Sequence, residues 1–188
     1  MASGMRPHEI LDFWFEGDAS VSRNKWFEKA PEFDANCADF TTAIRDARAG
    51  NFDHWAATPN GALALIVLLD QLSRNVLRGS AEAFAADPHA REIARTAIAA
   101  GYDTAMTPCE RMFLYLPFEH AETLEDQDLS VRLFQTPCDA LGSESIEYAH
   151  RHRDVIRRFG RFPHRNAALG RINTPEEAAW LAQPGAGF

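Results

Sequence analysis

Cysteine is scarce: Cys37, Cys109 and Cys138 are the only three in 188 residues, and no two form a Cys-x-x-Cys pair. An odd, widely spaced set excludes a disulfide framework and points to reduced thiols in a cytoplasm. Long apolar runs are missing as well. The longest, Ala62 to Leu69, stops at Asp70, far short of the roughly 20 residues that a membrane-spanning helix requires. The stretch MASGMRPHEILDFWF lacks an extended apolar region and reaches acids quickly, so it does not read as a secretory signal. Positive charge is in deficit, with 19 Lys and Arg against 27 Asp and Glu and a net charge of −8. With a pI near 5.3, the surface argues against nucleic acid or an anionic membrane as a general partner. Strand-like alternation is absent, as is any fixed-period repeat or Trp-x-x-Leu-Gly signature. No Gly-x-Ser-x-Gly, P-loop or Cys-His pattern in a recognised context supplies a nucleophile.

What is there is helical. The composition, 46% hydrophobic and 24% charged, is that of an ordinary globular protein, and the length fits one domain over 1–188, with 1–6 expected to be a disordered tail. Pro recurs just after a capping residue, and Gly recurs where a helix would end. The pattern predicts helices from Pro7 to Gly17, Pro31 to Ala49, Thr58-Pro59 to Leu77, and Asp87-Pro88 to Gly101. A capping box, Thr107 to Glu110, opens a helix toward Glu122, with a kink or break expected at Tyr115-Leu116 before Pro117. Further helices are expected from Thr123 to near Leu141, from a Ser143 cap to Gly160, from Pro163 to Leu169, and from the capping box at Thr174 and Glu177 through Trp180. The helix after Pro59 is apolar all round in its first half and should lie at the centre. Helix upon helix on short links is an all-α antiparallel array.

One stretch departs from the acidic balance. Tyr148 to Arg171 carries Arg151, Arg153, Arg157, Arg158, Arg161, Arg165 and Arg171 around His150, His152 and His164, with Asp154 its only acid. Helical steps place Tyr148, His152, Val155, Ile156 and Phe159 toward the core, and His150, Asp154, Arg157 or Arg158, and Arg161 on another stripe. His152 reads as a satisfied core histidine. Asp70, Arg74 and Arg78 follow one another at four-residue steps beside Gln71 and Asn75, directly after the most apolar run. Glu119, His120 and Glu122 likewise follow an apolar run. Carboxylates in such surroundings need cations, so Asp70, Glu119 and Glu122 are expected to meet Arg157, Arg158, Arg161 or Arg165 in one polar centre.

Three readings of that centre compete. The first is a purely structural ion-pair network. The second is a pocket for an anionic small molecule or a peptide carboxylate, built from Asp70, Arg74, Arg78, Glu119, His120, His150, Asp154, Arg157, Arg158, Arg161, His164, Arg165 and Asn166, with first-turn amides after Pro163 as added donors. The third is a hydrolase-type enzyme in which His120, His150 or His164 acts as acid or base beside Glu119 or Asp154, with arginine, Arg161 in particular, stabilising negative charge. No cofactor is indicated. Metal is not expected, since His150 and His152 point to opposite sides of a helix and Glu147-x-x-His150 has no second copy. Cys109 reads as an inert thiol.

The segments LDFWFEG, LALIVLLDQLSRNVLRGSAEAFAAD, FLYLPFEHAE and HRHRDVIRRFGRFPHRNAALGR, in that order, resemble the bacterial family known as domain of unknown function nine-two-four. The resemblance runs from about Ile10 to Phe188. It implies an all-α fold similar to tetratricopeptide-like helical-hairpin arrays, and it transfers no catalytic residues. Asp70, Gln71, Arg74, Asn75, Arg78, Glu119, His120, Arg158, Phe159, Arg161, Phe162, Pro163, His164, Arg165 and Asn166 match its pattern, whereas Leu72-Ser73 stands where many members carry an aromatic residue and proline.

Overall fold

Proline opens α1 (Pro7–Phe15), α2 (Pro31–Cys37) and α4 (Pro59–Ile66), sits in the first turn of α6 (Asp87–Ala99), and opens α7 (Pro108–Glu119) and α10 (Pro175–Leu181). Its missing N–H is one that a first helical turn leaves unbonded in any case. Threonine closes three of these starts: the side chains of Thr58, Thr107 and Thr174 accept from the amides of Gly61, Glu110 and Glu177. Glu110 and Glu177 return the contact to the Thr107 and Thr174 amides at 2.8 and 2.7 Å, completing two capping boxes. The remaining helices are α3 (Thr41–Arg48), α5 (Ser73–Val76), α8 (Leu124–Gln135) and α9 (Gly142–Phe159). The computed structural model describes residues 4–27, 30–135 and 142–187, with 142–144 as backbone alone. Among these the chain is all-α.

The core forms around α4. Ala62 to Leu69 have no exposed surface, and α4 packs against α1, α6, α7 and the short turn Asp53–Ala57. At one end of this core Trp14, Trp26 and Phe113 meet edge to face and in stacks, Trp26 and Phe113 at 4.8 Å between ring centres. The next helices each pack on their successor, α6 on α7, α7 on α8 and α8 on α9. A small second cluster, Val155, Ile156 and Phe162 with Phe159 and Trp180, joins the end of α9 to the carboxy-terminal segment. No helix among the described residues is long and apolar enough to cross a membrane.

Several local expectations change. The helix predicted over Pro31 to Ala49 is α2 and α3 separated by a 3₁₀ turn at Ala38–Phe40. Thr41 Oγ1 donates to the Ala38 carbonyl at 2.6 Å, the kind of local side-chain bond that competes with the helical ladder. Pro117 does not break α7, which continues to Glu119 while the His120 amide still bonds the Leu116 carbonyl at 3.0 Å. A proline two residues from the end removes one amide donor, and burial on all sides fixes the rest. The segment after Pro163 is a single 3₁₀ turn, Pro163–Arg165, too short to offer a helix N-terminus to an anion. Tyr148 is 47% exposed, and Ala149 takes its place in the core. Met5 packs against the core, and Arg6 caps α1. Cys37 and Cys109 are buried free thiols; Cys138 and the predicted helix end near Leu141 lie outside the described residues, as does the side chain of Ser143.

Gly61 is where the core leaves no room. A Cβ there would stand 2.1 Å from the Trp55 carbonyl oxygen and 2.8 Å from Thr58 Oγ1, so neither the turn nor the cap of α4 survives a larger residue unmoved. Gly61→Ala is expected to destabilise the fold by about 1–3 kcal/mol, read as a lowered denaturant midpoint with an unchanged slope.

Candidate functional site

The helix begun by α4 does not run on as a plain α-helix. Val67–Leu72 is a π-turn, after which α5 resumes. Such a turn carries one extra residue, re-aims the side chains within it and leaves backbone groups out of the regular ladder. Local side chains answer two of them: Ser73 Oγ donates to the Leu68 carbonyl at 3.0 Å, and Arg74 Nη1 donates to the Asp70 carbonyl at 2.6 Å. In the middle of the turn sits Asp70, wholly buried. Its carboxylate takes Arg74 at 2.9 Å, His120 Nδ1 at 2.8 Å and the amide of Gln71. Burial alone would push this acid up, but Arg74 and the imidazole outweigh it and hold Asp70 well below the usual carboxylate range.

His120 and Glu119 come from the end of α7. Burial lowers the His120 pKa, Arg74 adds to that, and Asp70 opposes both without reversing them. At neutral pH the imidazole is therefore uncharged, with its proton on Nδ1 and donated to Asp70. Glu119 is 4% exposed and lies 3.2 Å from His152 Nδ1, which also meets the Tyr148 carbonyl at 2.8 Å. The pair has the geometry of a salt bridge but not its charge. Burial and the nearby Asp70 raise Glu119 to about 8, and burial drives His152 well below its ordinary value, so both are neutral at pH 7. The His120 and His152 rings stand 6.3 Å apart.

The rest of the cluster is delivered by the start of α6 and by the turn at 163–165. Asp87 Oδ2 binds Arg74 at 2.9 Å and Arg165 at 3.3 Å. The Arg165 guanidinium packs against Phe162 and Phe84, 4.5 and 4.7 Å from their ring centres, and burial with the nearby Arg74 lowers it to about 10. His164 stacks toward Phe162 at 5.5 Å. Burial first, then Arg165, lowers it to about 4.

Of the residues singled out from sequence, Asp70, Arg74, Glu119, His120, His164 and Arg165 come together, and the others do not. Asp70, Glu119 and Glu122 do not share the arginines of α9. Glu122 holds Arg171 at 2.8 and 2.9 Å and the Phe162 amide at 2.8 Å. Arg161 binds Glu177 at 2.6 and 2.8 Å, and Asn166 also reaches Glu177, at 3.4 Å. Arg158 meets Glu176 at 2.9 Å, Arg157 faces Asp128 and Asp154, Arg78 pairs with Asp34, and His150 contacts Arg153. The outward stripe of α9 thus has its own acids at the surface. Asp87 was missed because Asp before Pro reads as a helix cap; it is the first residue of α6, with its side chain turned inward. His152 is both the buried core histidine expected and a member of the site. Among the described residues no group of three or more His, Cys, Asp or Glu is placed to hold a metal ion.

These environments set the pH dependence of stability. His164, held near 4 against about 6.5 when unfolded, favours the fold fully above pH 6.5 and less as pH falls toward 4; His120 and His152 act with the same sign. Glu119 acts oppositely, because its folded pKa near 8 lies above that of the unfolded chain, so its contribution is lost as pH rises through 8. Stability should peak near pH 6.5 and decline toward pH 8. Glu119→Gln should flatten that upper limb, measured by chemical denaturation across the range.

No curated protein matches the chain. The solved structure of a protein of unknown function from Agrobacterium tumefaciens is similar at 41% identity over 94% of this chain and 96% of that one, with a TM-score of 0.85. The family model described as bacterial protein of unknown function (DUF924) matches residues 10–185. That span holds every residue of the cluster, and the chain belongs to this bacterial family.

Proposed function

We propose that the protein is an enzyme working by general acid–base chemistry, with His120 as the base. The observation that carries this reading is the 2.8 Å contact between His120 Nδ1 and Asp70 Oδ1. A carboxylate on Nδ1 fixes the tautomer and leaves Nε2 as the nitrogen that accepts a proton, the role a buried acid has behind a catalytic imidazole. His120 keeps 15% of its side chain exposed above a wholly buried Asp70, so the base is partly open to solvent and its orienting acid is not. Glu119, holding its proton up to about pH 8, is the acid at hand. Two carboxyls driven apart by their surroundings, one ionised and one protonated, are the arrangement that acid–base catalysis requires.

Nothing in the cluster supports a covalent nucleophile. Ser73 Oγ is buried and bonded to a carbonyl, and burial raises the Cys109 thiol. The reaction class favoured is therefore activation of water, or removal of a proton from the substrate, as in a hydrolase-type mechanism. Arg74 and Arg165, rather than the surface Arg161, are the cations at hand to face developing negative charge. The binding-module reading loses much of the arginine surplus it rested on, since Arg153, Arg157 and Arg158 of α9 meet acids. A structural network accounts for the ion pairs but not for an interrupted central helix, a costly feature of the kind that gathers at functional sites. Two buried thiols without a disulfide support a cytoplasmic setting.

Diethyl pyrocarbonate, which acylates accessible imidazole, should label His120 as well as the exposed His8 and His54, and a panel of ester, amide and phosphate substrates should reveal turnover that His120→Gln lowers by about 10²–10⁴-fold. Absence of His120 labelling, or turnover unchanged in His120→Gln, defeats the reading. Asp70→Ala should reduce the same turnover and destabilise the fold by about 3 kcal/mol, the low end for stranding a buried partner, because Arg74 retains Asp87.

A further inference from the structure

Arg165 is charged and almost wholly enclosed, with 7% of its side chain exposed. Among the described residues its ion pair is the 3.3 Å contact of Nη1 with an Asp87 oxygen that Arg74 already holds more closely, at 2.9 Å. Its Nε is buried without a hydrogen-bond partner. A buried guanidinium that leaves an N–H unmet costs stability, and the Phe84 and Phe162 rings packed against it offer no acceptor. With Nη1 turned to Asp87, the edge formed by Nε and Nη2 is the one that remains. Its two N–H bonds run parallel, the fork that a planar carboxylate matches with both oxygens.

We propose that Arg165 anchors the carboxylate of a small monoanionic substrate at the His120 centre, gripping it through Nε and Nη2. This rests on the acid–base reading above. Charge balance favours a monoanion: Asp70 and Asp87 cancel Arg74 and Arg165, and the three histidines and Glu119 are neutral at pH 7. A guest carboxylate adds a single negative charge to this balance, whereas a dianionic phosphate adds two in a buried site. Arg74, Phe84, His120 and His164 are half-buried rather than fully enclosed, and a ligand reaching Arg165 would pass among them.

The test titrates acetate, propionate and inorganic phosphate, against chloride at matched ionic strength, into the wild-type protein, Arg165→Met and His120→Gln. Tm and the Arg165 Nε–H resonance are followed. Acetate and propionate should raise Tm saturably and shift that resonance in wild type and in His120→Gln, and Arg165→Met should weaken the response by about tenfold or more. Should Arg165→Met fail to fold, the wild-type resonance decides. No response to carboxylate, a response to phosphate alone, or an undiminished response in Arg165→Met overturns the proposal. Carboxylate binding with no His120-dependent turnover removes the acid–base reading and leaves the anchor standing; His120-dependent turnover without a carboxylate response does the reverse.

Discussion

Everything at the centre of this protein depends on placing one ionised carboxylate where water does not reach. Asp70 sits at the middle of the most buried helix, and its charge is tolerable only because Arg74 and an imidazole N–H are held against it. The π-turn is the backbone side of the same arrangement. By inserting a residue it turns Asp70 toward His120, and the carbonyls it frees are met by Ser73 and Arg74. Arg74 thus serves the helix and the carboxylate at once. The run LLDQLSRN is the interruption written as sequence: an acid, then the hydroxyl and guanidinium that make its burial affordable.

Much of the fold is legible in the chain because helix ends have strong local chemistry. Pro after Thr at α4, α7 and α10, with Glu three residues after Thr107 and Thr174, states where a helix starts, and the all-apolar run after Pro59 states which helix is central. Less is legible of how long each helix stays regular. Thr41 bonding back to Ala38 divides a helix without a Gly or Pro to announce it, and Pro117 fails to divide one because packing outweighs a single lost bond. The π-turn has no periodic signal at all.

The site is legible in part for a related reason. Asp70, Arg74, Glu119 and His120 declare themselves as charge beside apolar runs, a purely local contrast. Their partners do not follow from local contrast. Asp87 looks like a cap and becomes the shared counter-ion of Arg74 and Arg165, whereas the abundant arginines of α9 look like the natural supply and meet Asp128 and Glu176 at the surface. Pairing between elements is decided by which faces meet, and helical periodicity leaves that open whenever two faces of one helix both carry arginine.

The surface pairs nevertheless bear on the chemistry, because of what they hold in place. His164 and Arg165 sit on a turn with little helical structure of its own, and its position is set on either side. Glu122 grips Arg171 and the Phe162 amide, while Arg161 grips Glu177 at the capping box of α10. Gly187, at φ +90°, brings the chain against His164, where a Cβ would stand 3.3 Å from the histidine's own. An exposed ion pair contributes little by itself, but Glu177 is buried, and two-pronged contacts tie down a segment that carries two cluster residues. Precision at a buried site is thereby borrowed from hydrogen-bond geometry outside it, and this reconciles an arginine-rich stretch lying mostly at the surface with its place beside the buried acids.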